Sequence, residues 1–253
     1  MALRLNIKTV LHRLHTVIIL SWTMLGTAIF GIIAIGVSLR SQTGDGVHLV
    51  GRVWGRSILW VSGIRLIISG LDAAQSERAC IYMANHQSNF DIPVLLGGLP
   101  VQFRWLAKAE LFKIPIFGRS MRGAGYISID RSDRVAAFAS LERAAATIRS
   151  GTSVMIFPEG TRSRDGVLLP FKKGPFVLAV DSGVPIVPIT LCGTHAMMPK
   201  GRWLIRRRDV QVNFLTPIET LGYTRKTKEL LMDRVRTSML DDLSRGNCGG
   251  RDA

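Results

Sequence analysis

CIYMANHQSNFDIPVLLGG, residues 80–98, reads as a strand, a loop and a helix in immediate succession. Cys80–Ala84 is a short uncharged apolar run of strand length. Apolar residues then resume from Phe90 to Gly98 with the texture of a helix, so the strand ends near Ala84 and the helix begins near Asn89 or Phe90. That arrangement puts His86 at the carboxyl edge of a sheet, where open α/β sheets build their sites. Asp91 falls in the first helical turn, five residues on. There it is able to accept a hydrogen bond from one imidazole nitrogen, fix the tautomer and leave the other nitrogen as a base. Taken alone, Asp91 is also accounted for as an acid favoured by the helix dipole.

The same alternation continues outward. Short apolar runs at 80–84, 103–107, 125–129, 152–157, 184–191 and 209–215 predict strands, and 90–98, 133–149, 174–182 and 225–243 predict helices. Strands alternating with helices imply an α/β domain: a mixed, largely parallel sheet flanked by helices.

Upstream the texture differs. Thr16–Ser38 carries no charge and is long enough to cross or enter a bilayer. A second apolar stretch, Ser57–Ile68, is interrupted by Arg65, and the two together predict a hairpin dipping into one leaflet with Arg65 reaching back to the headgroups; a single span followed by a core helix is the alternative. Two regions follow: membrane-associated helices over 1–75 and a catalytic domain over 76–253. The 33 Lys and Arg against 18 Asp and Glu, a formal charge of +15, fit an anionic partner. The uncharged segment and the lack of any nucleic-acid-binding motif point to an anionic membrane surface in place of nucleic acid. Three widely spaced cysteines suggest neither a disulfide framework nor a metal site.

FPEGTRSRDG, residues 157–166, follows another predicted strand. Pro158 and Gly160 shape a turn, Thr161 and backbone amides are suited to holding oxygen atoms, and Arg162 offers a planar fork for phosphate. Glu159 is expected to orient that arginine or hold a substrate hydroxyl. No G-x-S-x-G elbow is present, so the histidine is expected to deprotonate a hydroxyl brought by the substrate.

Four blocks in order carry a resemblance: Asn85–Asp91; Lys108–Leu111 through Pro115–Gly118 with Gly125–Arg131; Phe157–Ser163 with Phe171–Gly174; and Val184–Ile189. In these the chain resembles the glycerolipid acyltransferases, closest to bacterial 1-acyl-glycerol-3-phosphate acyltransferases. The resemblance implies His86 as base with Asp91 as its orienter. Glu159, Gly160, Thr161 and Arg162, with Lys108 and Arg131, would form the acceptor site. It further implies a lysophosphatidate acceptor in the membrane, acyl-CoA or acyl carrier protein as donor, no metal or other cofactor, and residence on the cytoplasmic face of the inner membrane. Another lyso-lipid acceptor, such as lyso-ornithine lipid, is compatible with the same blocks.

Overall fold

The computed structural model of the chain describes residues 2–40, 43–74, 78–130 and 134–245. Its strands are β1 (Leu66–Ser69), β2 (Ile81–Ala84), β3 (Arg104–Lys108), β4 (Ile127–Ile129), β5 (Val154–Ile156), β6 (Ile186–Cys192) and β7 (Val210–Phe214). They form one sheet in the order β1-β7-β6-β2-β5-β3-β4. Neighbours run parallel except β6 and β7, where Ile189 lies opposite Phe214 in an antiparallel pair. The mixed, largely parallel sheet expected from the sequence is therefore present.

β2 sits centrally, Ile81 pairing with Val154 on one side and Ile186 on the other. All four of its residues are buried. Tyr82 and Ala84 enter a core with Leu95, Phe103 and Trp105, while Ile81 and Met83 enter a second core with Ile148, Phe176 and Leu231. A strand covered on both faces has to be apolar at every position, which is why its run reads continuously instead of alternating.

The first core is covered by α2 (Asp45–Ser62) and α3 (Asp91–Gly98), the second by α5 (Arg134–Arg149), α6 (Lys173–Ser182) and α8 (Lys228–Ser244). Two short helices, α4 (Phe117–Gly123) and α7 (Thr194–Met197), lie in the connections. Gly55 and Gly97 bring α2 onto α3: a Cβ on Gly97 would stand 2.6 Å from the Arg56 nitrogen, so only glycine permits the approach.

The N-terminal helix α1 (Ala2–Ser38) packs along α2 and α4. Trp22 Nε1 donates to Ser57 Oγ at 3.1 Å and Trp54 Nε1 to Thr27 Oγ1 at 3.2 Å. Ile19 and Ala34 are buried, whereas Leu14, Val17, Leu25 and Ile32 on the opposite side are exposed. Its Thr9–Ser38 portion is long and apolar enough to cross a membrane.

One expectation fails in detail. The Ser57–Ile68 stretch is not a single hairpin arm: Gly63, at φ 63°, ends α2, and the chain re-enters the sheet as β1, Leu66 pairing with Val210. Arg65 forms an ion pair with Asp209 at 3.1 Å. The sheet thus begins ahead of the expected boundary at 76. Cys80 is a free, buried thiol.

Candidate active site

Where β2 ends, Asn85 takes over the role of the strand ladder. Its Nδ2 donates to the Leu191 carbonyl at 3.0 Å and its Oδ1 accepts from the Leu191 N–H at 2.7 Å, tying the loop to β6. His86 follows, and its main chain is held by the loop after β5. The His86 N–H donates to Glu159 Oε1 at 2.6 Å, and the His86 carbonyl accepts from the Ser163 N–H at 2.8 Å. Two loops distant in sequence are thereby joined into one surface.

Asp91, wholly buried, opens α3. Its Oδ2 accepts from His86 Nδ1 at 2.7 Å and from the N–H groups of Gln87 and Ser88 at 2.7 and 2.8 Å. A carboxylate oxygen facing two backbone donors accepts a third, so Nδ1 carries the imidazole proton and Nε2 keeps its lone pair. The imidazole lies flat on Phe157, ring centroids 3.9 Å apart and planes 9° off parallel, with Trp105 stacked behind Phe157 at 5.4 Å. Hydrogen bonds at the edge and stacking on the face together fix the ring's position.

The imidazole lines a cavity of about 300 Å³. Trp105, Phe157 and Ile92 flank the histidine, and the cavity runs on past Phe30, Trp54 and Met121 to the helices α1, α2 and α4. Its lining is mostly apolar, with a few polar side chains, among them Thr27, Ser120 and His86, and such a space suits an alkyl chain.

A family profile described as Acyltransferase matches residues 65–192. The chain belongs to the acyltransferase family. It is 37% identical over 199 residues to the 1-acyl-sn-glycerol-3-phosphate acyltransferase BAT2 of Brassica napus, covering 78% of this chain and 56% of that protein. With the 1-acyl-sn-glycerol-3-phosphate acyltransferase of Haemophilus influenzae it shares 33% identity over 184 residues, 70% of this chain and 75% of the relative. The crystal structure of the 1-acyl-sn-glycerophosphate (LPA) acyltransferase PlsC from Thermotoga maritima superposes with a TM-score of 0.80 at 26% identity, covering 94% of this chain and 96% of that one. Against plant relatives the chain spans less than two thirds of the partner's length, 63% for Limnanthes douglasii.

Within this acyltransferase, the expected site residues fall into two sets. His86 and Asp91 meet as expected, and Gly160, at φ 70°, and Lys108, exposed at the end of β3, both line the cavity. Thr161 is exposed and Arg162 partly buried; no other described residue forms a hydrogen bond or ion pair with the Arg162 guanidinium. Arg131 lies outside the described residues. Glu159 occupies a different place from the expected one. It is 1% exposed, with Oε1 on the His86 N–H and Oε2 on the Leu169 N–H at 2.9 Å, so it clamps the two loops and neither orients Arg162 nor faces the cavity. Sequence reasoning passed over Lys200, whose Nζ donates to Thr161 Oγ1 at 3.1 Å and to the Arg162 carbonyl at 3.0 Å. It also valued Phe157 only as part of a block.

Burial pushes the Glu159 carboxyl up to about 7, against the downward pull of the His86 and Leu169 N–H groups. The folded-state value lies above that of an unfolded carboxyl, so the folded acyltransferase holds this proton where the unfolded chain has lost it. The group's contribution to stability is therefore full at low pH and falls as pH rises toward about 7. Glu159→Gln, isosteric with the protonated carboxyl, removes that slope, since the amide sets an NH2 where the neutral acid sets its O–H. Thermal melts across pH should show the variant close to the wild type in acid and gaining on it as pH rises toward about 7.

Proposed function

We propose that the protein transfers an acyl chain from acyl-CoA or acyl carrier protein to the sn-2 hydroxyl of 1-acyl-glycerol-3-phosphate, giving phosphatidate. The observation that carries this reading is a histidine–aspartate pair opening onto an apolar cavity. The names of the Brassica and Haemophilus relatives support the choice of acceptor.

In this mechanism His86 Nε2 removes the hydroxyl proton as the oxygen attacks the thioester carbonyl. Asp91 holds the tautomer and balances the imidazolium. The N–H groups of Thr161 and Arg162 have no acceptor among the described residues and adjoin Gly160 on the cavity wall, which makes them the donors available to the tetrahedral oxyanion. Collapse expels the thiolate, which takes the proton from His86, and no acyl-enzyme forms. The acyl chain lies in the cavity; Arg162, Thr161 and Lys108 receive the acceptor phosphate, with Arg131 as a further contributor. No metal or other cofactor enters these steps.

The exposed apolar side of α1 enters the lipid while its other side stays on the domain. Residues 1–75 then serve chiefly as the membrane-associated part and 76–253 as the catalytic part. The thioester donors place the site on the cytoplasmic face of the inner membrane.

Arg162→Lys keeps the charge and loses the fork. It should lower catalytic efficiency with lysophosphatidate roughly ten- to hundred-fold, mainly through the acceptor KM. Purified enzyme given one labelled donor and a mixture of lysophosphatidate and lyso-ornithine lipid tests the acceptor directly. Preference for the phosphate-free lipid would overturn the phosphate assignment and leave the His86 chemistry standing.

A further inference from the structure

Between α7 and β7 the chain runs without regular structure through Lys200-Gly-Arg-Trp-Leu-Ile-Arg-Arg-Arg-Asp209. Trp203 is 71% exposed and Leu204 41%, beside Arg202, Arg206, Arg207 and Arg208. Trp203 and Leu204, presented to solvent among arginines, belong to none of the domain's hydrophobic clusters. Arg202 and Arg206 have exposed side chains with no hydrogen-bond or ion-pair partner among the described residues.

The segment is nevertheless fixed in place. Ile205 is fully buried, and its N–H donates to Thr16 Oγ1 on α1 at 3.1 Å. Arg207 Nε donates to the Gly63 carbonyl, at the end of α2, at 2.7 Å. At its other end Lys200 is bonded to Thr161 and Arg162 of the acceptor site. One short segment therefore connects the membrane-facing helix, the end of α2 and the acceptor site. Along α2 the exposed positions include Leu49, Val53 and Trp60, the last 83% exposed, so the helix next to this segment also turns apolar side chains outward.

We propose that Lys200–Arg208 is a second membrane contact, specific for anionic lipid. Trp203 and Leu204 enter the interface, Arg202 and Arg206 pair with lipid phosphates, and the Thr161–Arg162 loop is thereby held at the surface from which a lyso-lipid arrives. Tryptophan favours the headgroup level of a bilayer, and arginines near an anionic leaflet are attracted by its surface potential. This inference rests on the reading that α1 meets the membrane, and it adds the Arg202 and Arg206 side chains to the exposed Arg13 of α1 as groups that select anionic lipid.

The test is hydrogen exchange on the full-length protein bound to vesicles of phosphatidylcholine alone or mixed with phosphatidylglycerol. Backbone exchange in 200–208 should slow several-fold in the anionic vesicles relative to the neutral ones, and Arg202→Gln with Arg206→Gln should abolish the difference while leaving protection of α1 unchanged. Trp203→Ala should raise the acceptor KM in anionic mixed micelles and leave kcat near wild type. If α1 is protected and 200–208 exchanges equally in both vesicle types, the proposal is wrong. If the protein fails to bind either vesicle, the reading of α1 fails first. If an acidic acyl carrier protein protects 200–208 and anionic lipid does not, the segment is a donor-docking surface and the proposal is overturned.

Discussion

Replacing His86 with alanine is expected to lower turnover by about two to four orders of magnitude while leaving a folded protein. Among the described residues the side chain's hydrogen bond is to Asp91, and the main-chain bonds that hold its loop, to Glu159 and Ser163, survive the substitution. Thiol release in the presence of lysophosphatidate, measured on protein with an unchanged melting profile, reads the effect. Near-normal turnover would remove the histidine from the mechanism.

Asp91→Asn should be the next most damaging change, and the local geometry sets how damaging. Three N–H donors converge on Oδ2, two of them from the backbone of Gln87 and Ser88, so the asparagine carbonyl must occupy that position. The imidazole tautomer is then retained. What disappears is the negative charge that balances the imidazolium. In a serine-protease triad the equivalent change costs about 10⁴-fold because the tautomer is wrong. Here the loss should be smaller, about a hundredfold, the scale of one charge-assisted hydrogen bond becoming neutral. Meanwhile the amide NH2 takes the place of Oδ1, which has no partner among the described residues, and becomes a buried donor without an acceptor. A fall in kcat with a modest drop in melting temperature is the expected pair of results; an unchanged kcat would contradict Asp91's role.

The histidine–aspartate pair was legible because its parts are local. Five residues separate His86 from Asp91, and the strand and helix that frame them announce themselves by a fully buried run and a helical one. Glu159 was seen but misplaced. Its partners, the His86 and Leu169 N–H groups, are backbone atoms brought close only by folding, and no side-chain pattern reports them. Lys200 escaped for the same reason, lying far along the chain from Thr161. The segment from Ser57 to Ile68 was misread because apolar content alone does not distinguish the end of one helix from an edge strand. The break depends on Gly63 adopting positive φ, and β1 acquires its meaning only from β7, well over a hundred residues later.

The placement of α1 has a practical consequence for anyone seeking a soluble form of this enzyme. Thr27, Phe30, Gly31 and Ala34 line the cavity, so the N-terminal helix is a wall of the reaction chamber as well as a candidate anchor. A protein begun after Ser38 would lose that wall and admit water beside His86, where, in the proposed reaction, bulk solvent would compete with the acceptor hydroxyl for the thioester. Such a truncation should release free fatty acid in the absence of acceptor, seen as acceptor-independent thiol production. Shedding the helix to gain solubility would thus turn a synthetic enzyme toward hydrolysis.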